Sequence, residues 1–408
     1  MRDEGESLHA HLVQNDALFF FSIACRIVPV WNEPENKESN RMQNPHVIHP
    51  GAILGILGDG QLGKMIAIAA ATMGYKVAVL GPGGRESPAG QVAYWAKAWG
   101  LNSSVSEELL DEFCRLVSVV MIEWENVPVE LIERIEARQV PVRPGSKVLA
   151  VAQDRLLEKG FARKLGIEVP KHNPVDGSTS SRETDCALPA ILKTRRNGYD
   201  GRGQVRIPAG GSVREAWDAL GKVPCILEEV VDFVGEISVI VARSPWYTDS
   251  VGYGPFENVH ESGILRTTYY PTQNPKIMLS SEVVARKAAI KIADTLAVHG
   301  LLAVEFFVTQ DGTVLFNEMA PRPHNSGHLT IDCCDTSQFE QYVRAACNLP
   351  WGSVRFHSCG VMKNILGAEG EGQIQKGFWP GASVHLYGKD EPKLGRKMGH
   401  VTWKSASI

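Results

Sequence analysis

Residues 301–319 read Leu301-Leu-Ala-Val-Glu305-Phe-Phe-Val-Thr309-Gln310-Asp311-Gly312-Thr313-Val-Leu-Phe-Asn317-Glu318-Met319. Two apolar runs flank Gln310-Asp311-Gly312, and Asp-Gly between such runs is a strong short-range signal for a β-hairpin. With Asp311 and Gly312 as the two loop residues, Gln310 pairs with Thr313, and Glu305 falls directly opposite Glu318 on one face of the sheet. Like charges in direct opposition destabilise a sheet, so this register predicts a positive group between them. Two carboxylates with room for phosphate suit magnesium, which keeps waters and shares its shell with a nucleotide. Two solvated glutamates on an exposed face are the competing reading.

Working outward, 408 residues exceed one ordinary core and imply two or three domains. Apolar content of 44% and charged content of 22% are those of a soluble globular protein. A net charge of −4 leaves no nucleic-acid footprint. The eight cysteines are scattered without a C-x-x-C pair, the usage of a reducing, cytoplasmic setting rather than of a disulfide framework or zinc site. Residues 17–31 are apolar but short for a membrane span, and Arg26 and Pro29 interrupt them. Asp3, Glu4, Glu6 and Asp16 precede the run, where a signal peptide would carry positive charge. Residues 1–50 therefore read as a weakly structured extension.

Residues 51–150 read as an α/β domain. Ala52–Leu57 is a short apolar strand that runs into Gly58-Asp59-Gly60-Gln61-Leu62-Gly63. Leu62, Met65, Ile66, Ala69 and Met73 then recur at helical spacing up to Gly74, and Lys76–Leu80 is the next strand. This is a βαβ unit. A further apolar strand, Val117–Ile122, ends at Glu123-Trp124-Glu125-Asn126. A charged helix from about Asp154 to Leu165 opens a second region, 151–355, with strands at Pro189–Lys193, Cys225–Glu229 and Glu236–Ala242, a helix over Glu282–Ala297, and the hairpin. Residues 356–408 turn Gly-rich with short strands such as Ser383–Tyr387.

Several clusters carry chemistry. Gly58-x-Gly60-x-x-Gly63 matches the dinucleotide fingerprint, but the second strand ends Leu80-Gly81-Pro82 without the acid that would hold a ribose. Its backbone N–H groups instead suggest an anionic substrate end near Gln61, with a packing turn that holds no ligand as the plainer alternative. Lys193-Thr-Arg-Arg-Asn-Gly198-Tyr199-Asp200-Gly201-Arg202-Gly203-Gln204 is the densest loop. Three glycines let amides approach phosphate oxygens, Lys193 supplies a point charge, and Asp200 is a candidate proton acceptor; a surface hairpin with solubilising charges is the plainer alternative. Glu228-Glu229 ends a strand where backbone groups and a carboxylate can meet a nucleoside. Arg322, His324, Asn325 and Ser326 follow directly on Glu318, in a segment stiffened by Pro321 and Pro323. His260, Arg266, Thr267 and Thr268 lie in another polar loop, and Glu236 on a strand is open to either a solvated or a binding role.

Taken in order, the Gly-x-Gly-Gln-Leu-Gly turn, Glu123 to Val127, Gln153 to Arg155, Lys193 with Gly-Tyr-Asp-Gly-Arg-Gly-Gln, Glu257 to Thr267, Asn317 to His328 and Gly395 to His400 closely resemble the N5-carboxyaminoimidazole ribonucleotide synthetases, ATP-grasp enzymes of de novo purine synthesis. The resemblance covers about 51–404. It implies a Rossmann-like N-terminal domain, a central ATP-grasp unit and a small β-rich C-terminal domain. It implies ATP, magnesium and bicarbonate as reactants, aminoimidazole ribonucleotide as acceptor, and a homodimer. Carried over by position, Arg155, Lys193, Gly198 to Gln204, Glu228, Glu229, Val230, Val231, Glu236, His260, Asn317 and Glu318 bind ATP, and Glu305 and Glu318 hold magnesium. Gln61, Tyr199, Asp200, Arg202, Arg266, Arg322, His324, Asn325, Ser326, Arg396 and Lys397 surround the ribonucleotide or the carboxylating species, with Lys193, Asp200, Arg266 and Arg322 closest to the chemistry.

The chain departs from the family pattern at the 1–50 extension, at Gly81-Pro82 where Asp-Pro is usual, at Tyr94-Trp95 in place of an acidic residue, and at a C-terminus where the family usually continues. The shortened end predicts a weakened C-terminal domain. Another ATP-grasp carboxylate-amine ligase, or an inactive relative, are the alternatives; the former shares Lys193, Glu305 and Glu318 but lacks the 320–328 string.

Overall fold

A computed structural model describes residues 46–99, 104–176, 186–198, 201–247, 249–367 and 379–405. Most of the predicted extension, 1–45, lies outside these, as do Tyr199 and Asp200. Residues 46–50, assigned above to the extension, are packed: Ile48 is buried, its N–H donates to Cys347 O at 3.0 Å, and its carbonyl accepts from the Tyr75 hydroxyl at 2.6 Å.

The N-terminal sheet is parallel throughout, with β1 (Ile53–Leu57), β2 (Lys76–Gly81), β3 (Trp95–Ala98), β4 (Val119–Ile122) and β5 (Val142–Arg143) in the order 3-2-1-4-5. Strands buried on both faces need continuous apolar runs, and β4 is buried at all four positions. α1 (Gln61–Thr72) follows β1, and α2 (Glu107–Leu116) and α3 (Val129–Glu136) cover the sheet with α4 (Ser146–Ala152). The strand order reverses at β1, so the crevice for ligands lies beyond the carboxyl ends of β1 and β4.

Two further sheets face one another. A four-stranded antiparallel sheet, in the order β6-β9-β7-β8, contains β6 (His172–Val175), β7 (Ala190–Thr194), β8 (Gln204–Ile207) and β9 (Cys225–Glu229), with α6 (Val213–Ala219) against it. An eight-stranded antiparallel sheet runs β14-β13-β10-β11-β12-β15-β17-β16. Its members are β10 (Phe233–Arg243), β11 (Val251–Glu261), β12 (Ile264–Tyr270), β13 (Gly300–Thr309), β14 (Val314–Ala320), β15 (Gly360–Leu366), β16 (Ala382–Leu386) and β17 (Lys397–Lys404). The C-terminal strands thus extend the central sheet. α7 (Leu279–Thr295) packs on one face of β10 and β13 through Ala285, Ala289 and Ile292. α8 (Thr330–Cys333) and α9 (Gln338–Ala346) lie on the other, where α9 also meets α1. α5 (Arg155–Lys164) lies where the sequence predicted a helix, and the Asp154 carboxylate caps its first turn at Leu156 and Leu157 N–H.

Two local expectations change. Residues 257–268, read above as a polar loop, are the β11–β12 hairpin; Gly252, Gly254 and Pro255 and a buried polar face at Glu257 and Asn258 hid the strand period. The β13–β14 turn has three loop residues, not two. Thr309 N–H donates to Thr313 O, and Gly312 takes φ +84°, the left-handed position of a three-residue loop. That register would set Glu305 opposite Asn317. An extra residue at Asn317 restores Glu305 opposite Glu318, a β-bulge.

Among the described residues, no helix is long and apolar enough to cross a membrane. Six cysteines are free thiols, while Cys359 is disulfide-bonded, an exception to the expectation of thiols throughout.

Candidate functional site

Where the three sheets converge lies a cleft of about 1020 Å³. The N-terminal domain supplies Gln61, Trp124 and Glu125; the small sheet supplies Lys193, Gly198, Gly201, Arg202 and Gln204; the large sheet supplies Glu236, His260, Glu305, Asn317 and Glu318. Arg155 from α5, Arg322, His324 and Asn325 from the segment after β14, and Lys389, Lys393, Arg396 and Lys397 before β17 complete it. Clefts walled by one sign of charge focus the field on an oppositely charged ligand. Here cations outnumber acids along the wall, which suits a polyphosphate and a second anionic substrate.

Glu305 and Glu318 both face the cleft, opposite one another as the sequence predicted. The basic groups flanking them belong to the chain itself. Arg155 Nη1 lies 2.6 Å from Glu318 Oε2, and His324 Nε2 lies 3.0 Å from Glu305 Oε1. Burial alone would raise the Glu305 pKa, but His324 and, more weakly, His260 hold it down at about 2. Asn317 Oδ1 is buried without a hydrogen-bond partner beside them. Two carboxylates and an orphaned amide oxygen form an all-oxygen set, which fits magnesium. Glu236, His260 and Glu305 also converge, with one donor atom of each within 4.8 Å of the others. His260 Nδ1 lies 3.2 Å from Glu236 Oε1 at an angle outside hydrogen-bond geometry; burial lowers its pKa, but the Glu236 and Glu305 carboxylates together leave it raised.

His324 is itself held from behind. Its Nδ1 is 2.8 Å from Ser326 Oγ, Ser238 Oγ is 2.7 Å from Ser326 Oγ, and Asn258 and Thr268 continue the chain at 2.9 and 3.1 Å. Ser326, predicted to face the ribonucleotide, is fully buried in this network and does not line the cleft. Its hydroxyl orients the imidazole instead.

Lys193 Nζ lies 2.7 Å from Glu228 Oε2, and Lys159 Nζ lies 3.4 Å from Glu228 Oε1. Burial would raise the Glu228 pKa, but the two ammonium groups hold it at about 2. Glu228, expected at a ribose, is thus 2% exposed and committed to two lysines, outside the cleft lining. Glu229 accepts from Lys171 N–H at 2.8 Å, and Val230 and Val231 are half-buried in the link from β9 to β10; none of the three lines the cleft. Gly203 is outside the lining too, its carbonyl accepting from Thr194 N–H at 2.8 Å. Arg266 pairs with Glu261 at 3.2 Å on the β11–β12 hairpin rather than lining the cleft.

The glycine turn after β1 has its anion already. Glu123, at the end of β4, accepts from Gly60 N–H at 3.0 Å and Gly63 N–H at 3.2 Å. A Cβ on Gly58, which takes φ +97°, would come within 2.5 Å of that carboxylate. The amides that would cradle a pyrophosphate are occupied, so the turn is not a dinucleotide site. The Gly60 and Gly63 amides therefore do not hold the substrate anion expected near Gln61; they serve a packing turn instead. Burial raises the Glu123 pKa.

Sequence reasoning missed five side chains. Glu125 pairs with Arg322 Nε, which holds the Glu125 carboxyl at about 2 against burial. Glu158 and Lys159 are only 2% and 0% exposed, and burial pushes the Glu158 pKa up to about 8. Lys389 and Lys393 join Arg396 and Lys397. The spacing of Glu123 and Glu125 after an apolar strand marked that region; nothing local marks Glu158-Lys159, because charged neighbours on a helix usually face water.

Three family models match the chain: a ribonucleotide synthetase preATP-grasp domain over residues 52–153, an ATP-grasp domain over 160–339, and a phosphoribosylaminoimidazole carboxylase C-terminal domain over 360–408. The N5-carboxyaminoimidazole ribonucleotide synthase of Bacillus subtilis is 40% identical over 364 residues, 88% of this chain and 92% of the relative. That of Brucella melitensis is 41% identical, covering 87% and 97%. Among solved structures, an ADP complex of an N5-carboxyaminoimidazole ribonucleotide synthetase superposes with a TM-score of 0.82 at 39% identity, covering 89% of this chain and 94% of the other. An Aspergillus clavatus N5-carboxyaminoimidazole synthase in complex with ADP and 5-aminoimidazole ribonucleotide gives 0.78 at 28% identity, covering 88% and 95%.

Proposed function

We propose a reaction and a set of residue roles for this chain, which belongs to the N5-carboxyaminoimidazole ribonucleotide synthase family. It is an ATP-dependent ligase of purine biosynthesis that carboxylates the amine of 5-aminoimidazole ribonucleotide. A bicarbonate oxygen attacks the γ-phosphorus of ATP and ADP leaves. The resulting carboxyphosphate breaks down to CO2 and phosphate, and the ribonucleotide amine adds to the CO2. Its proton passes to Asp200 or to the departing phosphate.

The observation that carries the residue roles is the pairing of Glu305 with Glu318 inside a cation-lined cleft between two sheets. Lys193 and Arg155 reach the nucleotide phosphates, with Gly198, Gly201, Arg202 and Gln204 lining the cleft beside them. Glu305, Glu318 and Asn317 hold magnesium, which when bound neutralises charge on the terminal phosphates. Glu236 and His260 face the nucleotide. Gln61, Tyr199, Asp200, Arg202, Arg322, His324, Asn325, Arg396 and Lys397 receive the ribonucleotide and the carboxylating species. Arg322 and Glu125 join the N-terminal domain to the cleft, so the ribonucleotide is bound across that joint. The protein works in the cytoplasm as a homodimer.

ADP release in bicarbonate buffer, measured with and without aminoimidazole ribonucleotide, tests this reading. Turnover that depends on the ribonucleotide is expected. Full turnover in its absence, or none in its presence, overturns it.

A further inference from the structure

β14 is the edge strand of the large sheet, so its outward N–H and C=O groups have no strand partner. A one-residue slip in a strand turns every side chain to the other face. The bulge at Asn317 makes such a slip, and it shows in the packing. Val314 and Phe316 enter the core beneath the sheet, yet the next core residue is Met319, not Glu318. Without the bulge Glu318 would point into that core. A bulge also breaks the local ladder, and the freed backbone groups need partners.

Those partners come from consecutive residues of α5. Glu158 Oε2 accepts from Met319 N–H at 3.0 Å, and Lys159 Nζ donates to Asn317 O at 2.7 Å. The two bonds grip the backbone on either side of Glu318. The first residue of the same helix, Arg155, pairs with the Glu318 carboxylate. Charged side chains buried to this degree are costly, and surface spacing on a helix gives no reason for two together.

We infer that Glu158 and Lys159 are positioning residues that fix the bulge in β14 and so hold Glu318 on the cleft face opposite Glu305. The inference rests on the reading of Glu318 as a metal ligand.

The test is Mn2+ binding to the full chain in the presence of ADP, followed by electron paramagnetic resonance, with melting temperature recorded alongside. Glu318→Gln reports on the metal reading alone. Glu158→Ala removes the acceptor, Glu158→Asp keeps a carboxyl group but shortens its reach, and Glu158→Gln keeps an acceptor oxygen without the ionisable group. Glu158→Ala and Glu158→Asp are expected to weaken Mn2+ binding about tenfold, as loss of groups that orient ligands does, and Glu158→Gln to restore most of it. A purely structural role would lower the melting temperature and leave Mn2+ affinity unchanged below it. Wild-type affinity in Glu158→Asp and in any folded Glu158→Ala, or equal loss in Glu158→Gln, overturns the inference when Glu318→Gln does weaken binding. Wild-type affinity in Glu318→Gln overturns the metal reading itself.

Discussion

At the scale of single residues, four acids in and beside the cleft are each matched to basic groups. Glu305 meets His324, Glu318 meets Arg155, Glu125 meets Arg322, and Glu228 meets Lys159 and Lys193. Such pairs keep a carboxylate ionised where burial would neutralise it, and an incoming ion or phosphate can exchange for one partner. Glu318 is the most accessible of these acids, with its side chain 40% exposed. Replacing it by Gln removes a charge without opening a cavity. Glu318→Gln is therefore expected to lower the ADP-release rate at least about 100-fold, the scale for losing one preorganised electrostatic partner, with far-UV circular dichroism unchanged. A near-normal rate would remove Glu318 from the metal site. His324 shows how a side chain can be found in sequence while its support is not. Its neighbour Ser326 marks the motif, but Ser238, Asn258 and Thr268 come from the successive strands β10, β11 and β12, well before it in the chain.

At the scale of elements, the glycine turn after β1 is decided by its contact with β4. Gly58 sits at φ +97°, and an added Cβ would meet Glu123 at 2.5 Å. Gly58→Ala combines a disfavoured backbone with a clash against the carboxylate that caps α1. It is expected to cost about 2 kcal/mol, read as a shift in urea midpoint, with no gain of nicotinamide-dinucleotide binding in either form. Elements with a strong period were legible. β9 matches its expected ends, and α5 starts within a residue of its expected beginning. The β11–β12 hairpin was not legible, because strand alternation is lost where Glu257 and Asn258 turn inward: Glu257 accepts from Gln273 N–H, and Asn258 joins the serine network. The β13–β14 hairpin is the instructive case. The predicted facing of Glu305 and Glu318 holds, but a longer loop and a compensating bulge produce it. Turn chemistry predicts a loop near Asp311-Gly312; it cannot reveal a bulge whose backbone partners lie on a helix some 160 residues earlier.

At the scale of the whole molecule, the N-terminal sheet is tied to the large sheet through the end of α9. Tyr342 Oη donates to Arg143 O at 2.7 Å and accepts from Ile122 N–H at 2.9 Å. Arg143 Nη1 and His299 Nε2 both reach Asn348 Oδ1, and His299 also meets Ala345 O at 3.1 Å. Burial, with the Arg143 cation beside it, lowers the His299 pKa to about 3. Its unfolded value lies near 6.5. Between these values the unfolded chain binds the extra proton, so the stability this neutral imidazole contributes is complete above pH 6.5 and is lost as pH falls toward 3. Glu158 and Glu123 act in the opposite sense, since their raised values make the folded state the proton binder above the ordinary carboxyl range. The absolute pH profile therefore mixes signs, and the difference between wild type and a variant isolates the joint. His299→Gln keeps an N–H donor for Ala345 and Asn348 but cannot take up a proton. Relative to the variant, wild type is expected to lose about 2 kcal/mol between pH 7 and pH 5, at about 1.4 kcal/mol per pH unit below 6.5. Parallel urea-unfolding curves for the two proteins across that range would show that His299 is not the acid-sensitive link between the sheets.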